Sequence, residues 1–239
     1  MSSGSTELAV AQDLSTTSYS ERLRQFEALA ALELNHGQAL WVLSELGFDV
    51  GAKKSTFNYY IKSLRKLGVP FRRGEIGLQA ERSAKYSFNH LTELSVALSL
   101  RTYGILPDVV VRGLIDARRV LYSLYRESYL ESDHGKGAPI ELTAAGPDTT
   151  SRFSMSGVYL DLRLVYVAGQ LISIGPPRTL SPAEAMVRFA TAEPPVRAGP
   201  PINLSKTTLK IAELMERAPQ LRRGPKPVRR ASARQETAA

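Results

Sequence analysis

Cysteine is absent from the 239-residue chain. That excludes a disulfide framework, a thiolate metal centre and a cysteine nucleophile. Histidine is scarce: His36, His90 and His134 lie in separate segments, and none stands at ligand spacing from another. No phosphate-loop, dinucleotide-binding, serine-elbow or zinc-protease pattern occurs. No catalytic residue, metal ligand or cofactor is therefore expected. Asp161 and Arg163 on one short segment could face a pocket, although such a pair more often marks the solvent side of a half-buried strand. Long apolar runs are missing too, with nothing near the roughly 18 residues of a membrane span. The opening stretch MSSGSTELAVAQDLSTTSYSE has neither the basic start nor the apolar core of a signal peptide. These gaps predict a soluble protein of a reducing cytoplasm, without a membrane partner.

What is present is an ordinary hydrophobic content, 43%, and an uneven distribution of charge. The net charge is +8. Residues 1–52 hold two basic and seven acidic residues, whereas residues 53–85 hold nine basic and two acidic. Residues 86–216 balance, and residues 217–239 hold seven basic and one acidic. Two basic islands thus sit on a neutral or acidic body. Such islands suit phosphate backbones, which bind Lys and Arg through Coulomb attraction and counterion release. A solubilising surface is the alternative.

The first island, KKSTFNYYIKSLRKLGVPFRR, starts at Lys53. Phe57, Tyr60, Ile61, Leu64 and Leu67 recur at helical spacing and predict a helix over 54–67, capped by Ser55 and ended by Gly68 and Pro70. With that stripe buried, Asn58, Lys62 and Arg65 turn outward, flanked by Ser55, Tyr59 and Lys66. Their donors can reach phosphates or base edges, or they can form a merely solvated face. Two helices are expected before this one, from Ser20 to Leu34 and from Gln38 to Leu46. After it, residues 69–88 read as a hairpin around a glycine-containing turn, with Arg72, Arg73, Arg82 and Lys85 at its surface.

Further on, residues 90–104 and 108–131 show helical stripes, and residues 132–157 are rich in glycine and turn formers and read as a linker. GVYLDLRLVYV alternates, with Val158, Leu160, Leu162, Leu164 and Tyr166 on one face and Tyr159, Asp161 and Arg163 on the other. Ala168 and Gly169 can turn it into QLISI. Ser181 with Glu184 opens a capped helix, and a last short helix precedes a basic tail expected to be disordered when unbound.

From Gln38 to about Arg126, the order of features resembles the DNA-binding region of MerR-type transcriptional regulators. The likeness rests on STFNYYIKSLRKLGVP and on KYSFNHLTELSVALSLRTYGILPDVVVRGL. It implies a recognition helix in the major groove and a wing on the backbone. A long helix would pair two subunits, and RNA polymerase would be a further partner. On that likeness Ser55, Thr56, Asn58, Tyr59 and Lys62 lie at the groove, and Arg72, Arg73 and Lys85 hold phosphates; Lys53, Lys54, Arg65 and Arg82 complete the expected DNA-binding set. The chain departs from the family in its extra helix before the first reading helix, its longer recognition helix and wing, and its lack of a cysteine sensor.

The expected fold class is mainly α with small β elements: a winged helix-turn-helix domain, a helical pair and a smaller α+β C-terminal module. The divisions are a flexible arm at 1–19, the winged domain at 20–88, a helical dimerisation region at 89–131, a linker at 132–157, the α+β module at 158–217 and the tail at 218–239. The expected activity is that of a dimeric, nucleoid-associated regulator binding double-stranded DNA by sequence. An architectural or mobile-element accessory protein, or a protein-interaction adaptor, is the rival reading.

Overall fold

The computed structural model describes residues 18–51, 53–71, 84–105, 107–133, 135–145, 150–190, 196–198 and 202–220. Within these the fold is mainly helical, with small antiparallel sheets. Helix α1 (Tyr19–Ala30) is capped by Ser18, whose hydroxyl accepts from the Glu21 N–H at 3.2 Å. Ser20, the expected cap, lies inside the helix. The helix also ends four residues before Leu34, because Leu34 leaves to exchange backbone hydrogen bonds with Tyr86, at 2.9 and 2.8 Å. Helix α2 (His36–Glu45) begins with a reciprocal capping box between Asn35 and Gln38. Helix α3 (Lys54–Leu67) ends at Gly68, whose left-handed φ of 105° suits a residue without a Cβ.

Helix α4 (Phe88–Thr102) is the centre of the molecule. Residues 91–98 are all buried, so the helix has no solvent face there. Helices α1, α2, α6 (Arg118–Leu130) and α8 (Leu204–Arg217) surround it. The position of α8 differs from the expected separate C-terminal module. Its buried stripe of Leu204, Thr208, Ile211, Leu214 and Met215 is too broad for a small hairpin to cover, and it packs into the helical core instead.

The single helix expected over 108–131 is two helices, α5 (Asp108–Asp116) and α6, divided at Ala117 (φ −84°, ψ 0°). The halves bury different partners. A Cβ on Gly113 of α5 would stand 2.3 Å from Ile174, so glycine permits the close approach of strand β5 (Gln170–Ile174), whereas α6 packs on α1, α4 and α8.

The segment expected as a linker holds a hairpin of β1 (Ile140–Ala145) and β2 (Thr150–Met155). The alternating segment that follows is likewise not one strand. It divides at Leu162 into β3 (Tyr159–Asp161) and β4 (Arg163–Val167), which belong to different sheets. Strand β3 lies between β6 (Arg178–Leu180) and β8 (Ile202–Asn203), and β4 lies between β5 and β7 (Val196–Ala198). The β4–β5 turn is made by Ala168 and Gly169, with φ of 47° and 78°. Helix α7 (Pro182–Ala190) packs on β3 and β6. No described helix is long and apolar enough to cross a membrane.

Candidate nucleic-acid interface

Phe57, Ile61 and Leu64 of α3 are buried and join the main core. Burying side chains of this size is worth about 1.5–3 kcal/mol each, which fixes the helix in rotation. Lys53, Ser55, Tyr59, Lys62 and Lys66 are consequently exposed, and Thr56, Asn58 and Ser63 are half-buried beside them. Lys54 is the first helical residue, but its side chain lies outside the described residues. The helix entry differs from expectation. Lys53 occupies the N-cap without a side-chain cap bond, and Ser55 sits one residue into the helix with its side chain in solvent.

Tyr59 is 65% exposed, the most open ring on the helix. Its neighbour Tyr60 turns aside and carries the Arg101 guanidinium 3.5 Å above its ring centroid. Arg65 does not stand with Lys62 as expected. Half-buried, it carries its guanidinium over Phe71, 5.9 Å from the ring centroid, with its Nε buried and without a hydrogen-bond partner. Its long aliphatic stem prefers the apolar edge of the domain to open water.

The C-terminal end of α3 is clamped. Arg118 Nη2 donates to the Gly68 carbonyl, while Arg118 also grips the fully buried Glu93. The Nε atom lies 3.0 Å from each carboxylate oxygen and Nη2 lies 2.8 Å from Oε1. Tyr122 donates to the remaining Oε2 capacity at 2.9 Å. This buried cluster ties α3 to α4 and α6 and was missed in the sequence. Its signal is the lone carboxylate of Glu93 in the otherwise uncharged run LTELSVALSL.

After Gly68 the chain passes through Val69, Pro70 and Phe71, all buried. Phe71 lies against Tyr86 and His90, with ring centroids 5.0 and 4.7 Å away. The arginines expected on the wing, Arg72, Arg73 and Arg82, lie outside the described residues. Lys85 is described and exposed, immediately before Tyr86, which pairs with Leu34. The structure thus brings Ser55, Tyr59, Lys62 and Lys66 onto one open face, leaves Lys53 exposed at the helix entry and separates Arg65 from that face.

The two described histidines serve the fold. His36 Nδ1 meets the Tyr86 hydroxyl at 3.0 Å, and His90 completes the capping box at Ser87. His134 is outside the described residues. Among the described residues no group of three or more His, Asp or Glu side chains stands ready to hold a metal. Comparison with family models, curated proteins and solved structures gives no match to this chain.

Proposed function

We propose that the protein is a sequence-reading, double-stranded DNA-binding regulator of winged helix-turn-helix type, with α3 as its recognition helix. The observation that supports this most is the open face of α3. Ser55, Tyr59, Lys62 and Lys66 project from a helix whose opposite side is locked into the core, with Lys53 exposed at its entry, and the described chain leaves that face uncovered. A helix carrying hydroxyl and ammonium donors on a free face, with the half-buried amide of Asn58 at its edge, has the width and chemistry to enter a major groove. The net +7 of residues 53–85 adds the phosphate attraction such a domain needs. In this reading Arg72, Arg73, Arg82 and Lys85 hold the flanking backbone, as the likeness to MerR-type regulators implies, and RNA polymerase is a further partner on the same ground.

A homodimer is part of the proposal, because two copies on a repeated half-site multiply affinity. The apolar stripe of the 108–131 segment is consumed within the chain, with Val110, Leu114, Leu121 and Tyr125 buried. A second copy is better met by the β4–β5 hairpin, where Val167 and Ile172 are about half exposed.

Selection from a random duplex library followed by footprinting tests the reading. A recovered motif is expected, and a flat profile would favour an architectural protein instead. Asn58→Ala or Lys62→Ala should relax preference at single positions at a cost of about 1–3 kcal/mol. Removing Arg72 and Arg73 should weaken all sequences alike and flatten the salt dependence. Unchanged affinity and preference in both α3 variants would reject α3 as the reader.

A further inference from the structure

Asp161 ends β3 and is 1% exposed, a buried carboxylate where a solvent-facing one is expected from the strand alternation. Three arginines converge on it from three elements. Arg178, its cross-strand neighbour on β6, donates through Nε to Oδ2 at 2.9 Å. Arg163, at the start of β4, places Nε 3.8 Å from the same oxygen. Arg188, from the last turn of α7, places Nε 3.5 Å from Oδ1. The nearest further carboxylate on α7, Glu184, is turned back to accept the Ser181 N–H at 2.7 Å. That bond, with the Ser181 hydroxyl, holds its carboxyl below the usual range.

The arrangement is not a closed ion pair. One buried carboxylate faces three guanidinium groups, and Glu184 lies in the field of Arg178 and Lys136 without joining the cluster, so positive charge is in excess around Asp161 among the described residues. Asp161 Oδ1 and Arg188 Nε are both buried without a hydrogen-bond partner. Each of the three arginines comes nearest to Asp161 through its Nε, and only the Arg178 contact is a hydrogen bond. The side chains of Arg163 and Arg178 are 45% and 50% exposed, so these donors are reachable from water. Arg163 is also held from behind. Its carbonyl accepts the Gly175 N–H at 2.8 Å, and a Cβ on Gly175 would come within 3.2 Å of the Arg163 Cβ.

We infer that Arg163, Arg178 and Arg188, organised by Asp161, form a binding site for a single phosphoryl group carried by a small molecule. Guanidinium forks match the oxygens of a phosphate, and two or three around one point provide both charge and direction. Convergence on one point is what selects a compact ligand. A nucleic-acid strand presents its phosphates in a row and is met by cations spread along a groove, not gathered on one carboxylate. Asp161 acts as a hub: it draws the three Nε atoms to one place, and it offsets one of the three charges before any ligand arrives. This site is separate from α3 and does not depend on the DNA-binding reading.

Isothermal titration of the full-length protein with inorganic phosphate and with pyrophosphate, at constant ionic strength set by chloride, tests the site. Saturable binding at one site per chain is expected, weakened tenfold or more by Arg178→Gln and by Arg163→Gln. Arg163, 3.8 Å from Asp161 and half exposed, can be replaced with little change in the thermal midpoint, whereas Arg178→Gln removes the one hydrogen bond to a buried carboxylate and should lower the midpoint, so its binding is read well below that midpoint. Lys62→Gln on α3 should leave phosphate binding unchanged. Absence of saturable binding, or equal binding in folded Arg178→Gln and Arg163→Gln, would overturn the site. Displacement of pyrophosphate by a short duplex, together with weaker duplex binding by Arg178→Gln, would also overturn the small-ligand assignment and make the cluster a DNA-backbone contact.

Discussion

Glu93 and Asp161 are both buried carboxylates that meet arginine, and they end in opposite conditions. Both oxygens of Glu93 are occupied, by one arginine in a fork and by the Tyr122 hydroxyl, and the charges cancel inside the helical core. Asp161 has one hydrogen-bonded oxygen and one that meets only the Arg188 guanidinium, at 3.5 Å and without a hydrogen bond, and its three arginines outnumber it. The same residue types therefore give a closed clamp in one place and an open, charge-unbalanced cluster in the other. Burial of the acid does not tell them apart. The degree to which donors and acceptors are satisfied does.

The clamp should fail hardest when broken. Glu93→Ala leaves the Arg118 guanidinium buried without its partner and frees the Gly68 end of α3, at an expected cost of about 3–5 kcal/mol in urea unfolding. A loss below about 1 kcal/mol would show that the pair is not a clamp. Asp161→Ala should cost less, about 1–2 kcal/mol, because water already solvates two of the three arginines. Raising the salt concentration should shrink that smaller loss and leave the Glu93 loss nearly unchanged. Equal losses with equal salt dependence would erase the distinction between the two sites.

The smallest effect sharpens the picture of the clamp's surroundings. The Tyr125 hydroxyl is fully buried next to it and has no hydrogen-bond partner. Burial first, then the charge of Glu93 and the neighbouring Tyr122, push its pKa well above 10, with Arg118 opposing. Because the folded value lies above the unfolded one, the associated stability is present below about pH 10 and is lost as pH rises through the folded value. Tyr125→Phe should remove the unmet hydroxyl with a gain of up to about 1 kcal/mol at neutral pH, and it should flatten the alkaline fall. Urea midpoints at neutral pH and above pH 10 decide it; a destabilised variant would mean that the hydroxyl is satisfied.

Legibility in the sequence followed from how many neighbours a segment has. The rotation of α3 was readable, since Phe57, Ile61 and Leu64 all point one way and nothing described covers the other side. Its details were less so. Ser55 resembles a cap by type, but the chain enters the helix at Lys53, and Arg65 bends to Phe71 although its position on the helix turns it outward. In the strand segment, alternation correctly marks Val158, Leu160, Leu162 and Leu164 as buried. It misplaces Asp161, because α7 and Arg178 cover the face that a two-layer pattern assigns to water. The residues that meet at the two carboxylates lie up to 29 positions apart in one case and up to 27 in the other. No local period links such distances.

The sequence by itself determined the mainly helical character with small β elements, the ending of α3 at Gly68 and the basic charge of the 53–85 region, because periodicity, glycine conformation and composition are local properties. Only the tertiary structure decided that α8 completes the core around α4, that Arg118 joins Glu93 to the end of α3, and that three arginines gather on Asp161. Those outcomes depend on which surfaces remain to be buried once every helix and strand has formed, and that is a property of the whole chain.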